Sequence, residues 1–265
     1  MRTKILVLAA VVGGIMASSA SATTIGLWST GICSGANTDL TQCLGGAGSM
    51  LKYGSNLGSV FDNNYQLTAR ADGSVNTGNN SSSTEHALSS GGPTGNYVVD
   101  GAGASEWIGP NPLAGNEAVG TYTYRTTFDL TNFDPTSLVL SLDVAADNSV
   151  QVLINGHDIS ALFNFNGTGS PTCGTTSAAP HAWCFEAFSS DHSITNANAG
   201  GYLPGLNTLT FVVTNTDGPG LTPTGLRVQA QGNANLLAQA APEPVTVALV
   251  GFGLVGLGLI RRKRS

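Results

Sequence analysis

Basic residues are scarce in the central part of this chain. The 265 residues contain ten Lys and Arg, of which four lie between residues 23 and 241, against fifteen Asp and Glu in the same span. This part therefore carries a net charge of −11. Because four dispersed cations cannot neutralise a run of phosphates, we expect no nucleic acid partner.

Signatures of catalysis are lacking as well. The sequence has no GxSxG, HExxH, phosphate-binding loop or dinucleotide fingerprint. Its four histidines are scattered, with spacings that fit no common zinc site. Glu106 and Glu117 would be the candidates for the carboxylate pair of a glycosidase, but we interpret both as solvated acids. We therefore expect no catalytic residue and no enzyme activity.

Long apolar runs are confined to the two ends. At the N-terminus, Arg2 and Lys4 precede an apolar run from Ile5 to Met16, and the small residues of Ala20-Ser21-Ala22 suit signal peptidase. We interpret residues 1–22 as a signal peptide that is cleaved after Ala22. An uncleaved anchor is the alternative, but twelve apolar residues are short of the ~20 that span a bilayer.

The other end, residues 241–265, has three parts in order. A Pro-Glu-Pro element precedes an apolar run from Val245 to Ile260, and a basic cluster from Arg261 to Arg264 follows it. Sixteen helical residues extend about 24 Å, close to the thickness of a bilayer core. We expect this run to form a transmembrane helix. Since the basic cluster favours the cytoplasmic side, the rest of the chain lies outside.

The order of these three parts resembles the PEP-CTERM tail of exported proteins in Gram-negative bacteria. The resemblance implies that a membrane enzyme, exosortase, recognises Pro242, Glu243 and Pro244 and processes the protein. It also implies transient anchoring in the inner membrane, followed by a place in the periplasm, at the cell surface or in the extracellular matrix. A plain C-terminal anchor is the alternative interpretation.

The four cysteines lie in two local pairs, and no CxxC motif is present. An exported chain meets an oxidising compartment, in which an even number of cysteines favours disulfide bonds. We predict the bonds Cys33–Cys43 and Cys173–Cys184. Four cysteines allow three pairings, and the sequence alone does not exclude the other two.

Helical periodicity is almost absent from residues 23–240, the body of the chain. Short runs of alternating apolar residues, separated by turn signals, indicate an all-β sandwich or barrel. Asn155-Gly156 is a strong hairpin signal, whereas Asn79–Ser83 indicates a loop. The predicted strands are residues 65–69, 97–99, 121–130, 138–145, 149–154, 157–159, 207–214 and 225–231.

Residues 97–232 resemble the galactose-binding-like β-sandwich, a jelly roll common among carbohydrate-binding modules. The resemblance depends on Trp107-Ile108 before the strand TYTYRTTFDL, the corner Asp147-Asn148, the turn Asn155-Gly156 and the segment Gly205–Leu209. It implies a single jelly-roll domain. It says little about the ligand, because this sandwich supports many functions.

Three aromatic residues, Trp107, Trp183 and Tyr202, are candidates for carbohydrate binding. Aromatic rings stack against the apolar C–H faces of sugars. Trp183 lies inside the loop that a Cys173–Cys184 bond would close, and such a loop would hold the ring rigidly. The alternative is that these rings pack into the core, which is the interpretation we favour for Trp107.

A set of acidic residues lies near the predicted strand ends. Carboxylate oxygens of this kind suit Ca²⁺, and members of the galactose-binding-like family often hold a structural calcium ion. No cofactor is otherwise required. The candidate calcium ligands are Asp143, Asp147, Asp158 and Asp217.

These features together lead to one expectation and one alternative. We expect an exported, non-catalytic carbohydrate-binding module whose partner is an extracellular polysaccharide. The alternative is a structural surface or biofilm protein without a small ligand. An exposed aromatic platform would favour the first, and its absence would favour the second.

Overall fold

The structure is a computed structural model, and its description covers residues 21–32, 62, 64–73, 82–83, 97–98, 105–110, 117–163, 184–185, 187–189, 192–216 and 223–237. Contacts within the chain define two units, one of which is Ala22–Leu237. Every strand given below lies in that unit. The second unit comprises Met1–Ser21 and Ala238–Ser265.

Eleven strands and two short 3₁₀ helices form the described part of the chain. The 3₁₀ helices are Pro135–Ser137 and Ser160–Leu162. The strands are β1 Ala22–Thr24, β2 Gln66–Ala69, β3 Ser82–Ser83, β4 Ile108–Gly109, β5 Gly120–Asp129, β6 Val139–Asp147, β7 Ser149–Ile154, β8 His157–Asp158, β9 His192–Thr195, β10 Leu206–Asn215 and β11 Gly225–Asn235.

The strands form two antiparallel sheets. In the first sheet the order is β3-β4-β11-β6-β9, with β1 also paired to β11. In the second sheet the order is β2-β5-β10-β7-β8. The chain crosses from the first sheet to the second at Asn148, where the backbone N–H of this residue donates to the carbonyl oxygen of Thr214 at 3.0 Å.

Buried positions alternate with more exposed ones along β5, β7, β10 and the first half of β6, as the period of a half-buried strand requires. The buried side chains of β5 and β6 include Tyr122, Tyr124, Thr126, Phe128, Leu140, Leu142 and Val144. Residues of both sheets, such as Val213 of β10 and Val228 of β11, belong to one hydrophobic core. The two sheets therefore pack face to face, and the prediction of an all-β, sandwich-like body is confirmed.

Most predicted strands occur, with small shifts at their ends, but two predictions were wrong. Residues 97–98 are not in a strand; the backbone N–H of Val98 donates to the carbonyl oxygen of Phe185, which belongs to no strand. Ser82–Ser83, predicted as a loop, is β3, which pairs with β4. The Asn155-Gly156 turn is confirmed, with φ of 50° and 83° as a tight hairpin requires.

The first and last strands of the body meet at one end of the sandwich, which we call the exit end. Ala22 of β1 pairs with Asn235 of β11, two residues before Leu237. The connection between β5 and β6 lies at the same end, since the N–H of Leu237 donates to the carbonyl oxygen of Asn132 at 2.9 Å. The body therefore begins and ends at the same place.

Candidate functional site

A layer of loop segments covers the outer face of the first sheet, and we call it the outer layer. It contains a small hydrophobic cluster, separate from the main core, that includes Tyr97, Trp107, Phe185 and Ala145 of β6. The Tyr97 ring is stacked on that of Phe185, with 4.6 Å between ring centroids, and meets the Trp107 ring edge-on at 5.4 Å. These segments, distant in the sequence, are therefore fixed to one sheet.

Arg227 of β11 is the centre of the outer layer. Its side chain is only 1 % exposed. The guanidinium donates to the hydroxyl of Ser105 at 2.9 Å and to the carbonyl oxygen of Val98 at 3.0 Å, and it lies 5.7 Å from the ring centroid of Phe188. A buried cation is costly unless such acceptors surround it, so Arg227 holds three loop segments in place.

Trp107 belongs to this layer as a packed residue. Its ring has no solvent exposure, and its indole N–H donates to the carbonyl oxygen of Val98 at 2.9 Å. A ring without an open face cannot stack against a sugar in this conformation. Core packing, the interpretation favoured for Trp107 from the sequence, therefore describes its environment.

Tyr202 lies elsewhere, and its ring is buried, which is the alternative that the sequence left open for it. The residue is 6 % exposed, and its ring centroid lies 6.1 Å from that of Phe128. Its hydroxyl donates to the carbonyl oxygen of Ile194 at 2.9 Å, and burial raises the pKa of the phenol above its usual value. Tyr202 belongs to the loop between β9 and β10. Its ring packs into the core, and its buried hydroxyl is satisfied by a backbone acceptor.

The three candidate calcium ligands that the structure describes are not brought together. Asp143 and Asp147 lie four residues apart on β6, roughly 13 Å at about 3.3 Å per residue, whereas Asp158 lies on β8 of the other sheet. The Asp147 carboxylate accepts from the hydroxyl of Tyr97, and that of Asp158 accepts from Gln151 and from the backbone of Ser160.

These carboxylates therefore do not fit a shared calcium site. In the part of the chain that the structure describes, no group of three or more His, Cys, Asp or Glu side chains is arranged to hold a metal ion. The hydrogen bonds instead lower the pKa of Asp158, chiefly through the Ser160 and Gln151 side chains.

Cys184 belongs to the outer layer and directly follows a predicted binding residue in the sequence. It is fully buried and disulfide-bonded, and its carbonyl oxygen accepts from the N–H of Ala146 of β6 at 3.1 Å. Trp183 precedes it in the sequence. Cys33, Cys43 and Cys173 lie outside the described residues, so both disulfide pairings stay predictions.

Several other predicted features also lie outside the described residues. Across the ranges that the structure covers, no helix has the length and apolar character needed to span a bilayer. The features beyond those ranges are residues 1–20 of the signal peptide, Trp183, Asp217, Pro242, Glu243, Pro244 and the apolar run 245–260.

Glu106 and Glu117 are both buried, so their interpretation as solvated acids was wrong. Glu106 is 5 % exposed, and its backbone N–H donates to the carbonyl oxygen of Thr30 at 2.8 Å. Glu117 is 8 % exposed and lies in a polar cluster with Arg70 and Tyr122. Burial is the largest influence on Glu117 and raises the pKa of its carboxyl, against the charge of Arg70, which lowers it.

This polar cluster escaped sequence reasoning and is incompletely hydrogen-bonded. Glu117 Oε1, Arg70 Nε and the hydroxyl of Tyr124 are all buried without a hydrogen-bond partner. Tyr124 followed the alternation of β5 and gave no signal of a polar environment. Because each atom is covered by protein without a hydrogen-bond partner, the cluster is a local cost to stability.

The geometry offers an outer layer whose loops are fixed by Arg227 and Cys184. Comparison with family models, curated proteins and solved structures gives no match.

Proposed function

We propose that the chain is an exported, non-catalytic surface protein whose body binds a polysaccharide through the outer layer. Export would use residues 1–22, and sorting would use residues 241–265 with exosortase as the processing partner. The proposed place is the periplasm, the cell surface or the extracellular matrix. The body would act outside the inner membrane, where extracellular polysaccharide is available.

The observation that carries the binding proposal is the fixation of the chain directly after Trp183. Cys184 is fully buried, disulfide-bonded and hydrogen-bonded to β6, and Phe185 packs on Tyr97. A ligand ring that stacks on an already ordered segment costs less conformational entropy than one that must order a loop. This arrangement supports Trp183 as the stacking residue.

We also propose that the two sheets form a jelly roll of the galactose-binding-like type. Successive long strands lie mostly in opposite sheets, since β5, β7 and β10 belong to the second sheet and β6, β9 and β11 to the first. Such crossing between two antiparallel sheets is the pattern expected of a jelly roll. The topology therefore supports the finer assignment.

Glycan binding of the detergent-solubilised, signal-processed chain tests the proposal. We expect weak binding on a glycan array, because exchange of water hydrogen bonds for protein ones gives little net gain. Trp183→Ala should abolish binding without loss of the native circular dichroism spectrum, whereas Trp183→Phe, which keeps a ring, should retain part of it. Absence of binding by the wild-type chain at millimolar glycan would contradict the proposal.

One observation favours a second candidate, a structural surface protein without a small ligand. Among the described residues, the large hydrophobic side chains that are exposed are all aliphatic. The aromatic platform that would favour binding is therefore missing from this part of the chain. If the array shows no binding while the protein is retained in the extracellular matrix, the structural role is the better account.

The sorting proposal has its own test. Mass spectrometry of the protein from cells with active exosortase should find an N-terminus at Thr23 and a C-terminus that lacks Arg261–Arg264. An intact C-terminus in those cells would contradict processing and leave a plain anchor. Replacement of Glu243 by Gln should preserve export but block removal of the tail.

A further inference from the structure

The exposed aliphatic side chains are concentrated at one end of the body. In the described ranges the large hydrophobic residues that are exposed are Val119, Val139, Leu203, Leu206, Leu236 and Leu237, at 48, 40, 51, 65, 46 and 51 % of their surface. All but Val119 lie at the exit end. We call these five residues the leucine face.

Backbone pairing brings the segments of the leucine face to the same end of the sandwich. Leu206, the first residue of β10, pairs with Asp129, the last residue of β5. Three residues further along, the carbonyl oxygen of Asn132 accepts from the N–H of Leu237, so the pairing partners of the two leucines, Asp129 and Asn132, lie at most about 11 Å apart along the chain. Val139 begins β6 opposite Asn233 of β11, and it completes the face from the side of the first sheet.

The chain leaves the body through this face. Leu237 is its last residue, and seven residues, 238–244, separate it from the apolar run that begins at Val245. Seven extended residues reach about 25 Å at most. A body attached to an inserted tail must therefore keep its exit end close to the bilayer. The start of β1 lies at the same end, because Ala22 pairs with Asn235.

The distribution of charged residues indicates that contact at this end is apolar, with neutral lipid. None of the described arginines, Arg70, Arg125 and Arg227, belongs to the segments that form the leucine face. The acids there, Asp129 and Asp134, are held by hydrogen bonds from Thr131 and Thr136. Electrostatic attraction to anionic lipid is therefore not the driving force at this face.

We propose that the leucine face rests on the bilayer surface while the C-terminal tail is inserted. The inference depends on the proposed membrane insertion of residues 245–260, and it goes further by assigning the orientation of the body. A short tether keeps the face at a high local concentration against the lipid, so that weak apolar contacts suffice. The opposite end of the sandwich, with Val119, then points away from the membrane.

Tryptophan quenching by brominated lipid tests this orientation. The full chain, without its signal peptide, is reconstituted in phosphatidylcholine vesicles made with ordinary or brominated acyl chains. Leu206→Trp and Leu237→Trp should each add fluorescence that is lost in the brominated vesicles, relative to the wild-type chain. Val119→Trp, an equally exposed aliphatic site at the opposite end, is the matched control and should keep its added fluorescence.

The outcomes separate this inference from the function on which it depends. If the chain does not float with the vesicles, tail insertion fails and the inference fails with it. If the chain floats but neither leucine variant is quenched, the orientation alone is overturned, and a cross-linked dimer through the same variants would assign the face to a second copy. Equal quenching of Val119→Trp would also overturn it.

Discussion

Trp107 and Arg227 donate to the same acceptor, the backbone carbonyl oxygen of Val98, at 2.9 and 3.0 Å. One residue was a candidate for sugar stacking, and the other gave no signal in the sequence. Together they fasten a loop to the outer face of the first sheet. The rigidity of the outer layer therefore depends on hydrogen bonds between side chains and loop backbone more than on strand pairing.

Replacement of Arg227 should be among the most destabilising single changes in the body. Arg227→Met removes the donors to the buried hydroxyl and carbonyl oxygens of Ser105, while Val98 keeps its bond from Trp107, so we expect a loss of roughly 3 kcal/mol in the free energy of unfolding. Urea denaturation followed by circular dichroism measures it. Arg125→Met, at an exposed position of β5, is the control and should change stability by less than about 0.5 kcal/mol.

Asp62 should make the fold less stable as the pH rises. Burial raises the pKa of its carboxyl from 3.8 to about 6, although backbone N–H groups of Gly31, Asn64 and Tyr65 donate to it and oppose the shift. The folded state therefore holds the proton more tightly than the unfolded chain. The resulting stabilisation is fully present below pH 3.8 and is lost as the pH approaches 6. A shift of this size corresponds to about 3 kcal/mol.

Urea denaturation of the wild-type chain and of the Asp62→Asn variant across this pH range isolates the contribution of Asp62 to the free energy of unfolding. The difference between the two free energies of unfolding should decrease with rising pH, because all other groups titrate in both proteins. Asp129→Asn is a control of opposite sign, since hydrogen bonds from Thr131 lower the pKa of Asp129 and its contribution is lost as the pH falls. A difference curve for Asp62 that is flat in pH would refute the prediction.

Two buried tyrosines should respond in opposite ways to loss of the hydroxyl. The hydroxyl of Tyr124 is buried without a partner, so Tyr124→Phe should stabilise the protein by about 1 kcal/mol. The hydroxyl of Tyr65 donates to the carbonyl oxygen of Trp28 at 3.0 Å, so Tyr65→Phe should destabilise it by about 1 kcal/mol. Thermal unfolding of both variants measures these changes in stability. A melting temperature lowered in both would contradict the prediction for Tyr124→Phe.

Gly232 should not tolerate a side chain. A Cβ atom there would lie 2.6 Å from Ile25 Cδ1 and 2.7 Å from Leu140 Cδ2, because the N-terminal segment packs directly on β11. Gly232→Ala should therefore cost roughly 1–3 kcal/mol through displaced core side chains. Gly26→Ala is the matched control, since a Cβ at Gly26 meets nothing within 4 Å. Similar melting temperatures for the two variants would show that the segment is not packed as described.

The alternation of apolar residues along the sequence predicted the long strands and their buried faces. One turn was predicted from its residue types. Tyr122, Phe128 and Leu142 fall on buried faces because side chains of a strand alternate with a period of two, a property that the local sequence carries. Asn155-Gly156 forms its hairpin for an equally local reason, the tolerance of both residues for positive φ. The short strands β1, β4 and β9 were not predicted, since they are held by partners far along the chain.

The tertiary structure alone decided which polar and aromatic residues outside the regular strands are buried. Trp107, Tyr202 and Glu106 are covered by segments distant in sequence, and burial of this kind leaves no periodic trace along the chain. The leucine face arises in the same way, since Leu206 and Leu237 share one end of the sandwich only because β10 begins and β11 ends there. Alternation is a property of neighbours along the chain, whereas a shared surface is a property of strand order, which long-range packing sets.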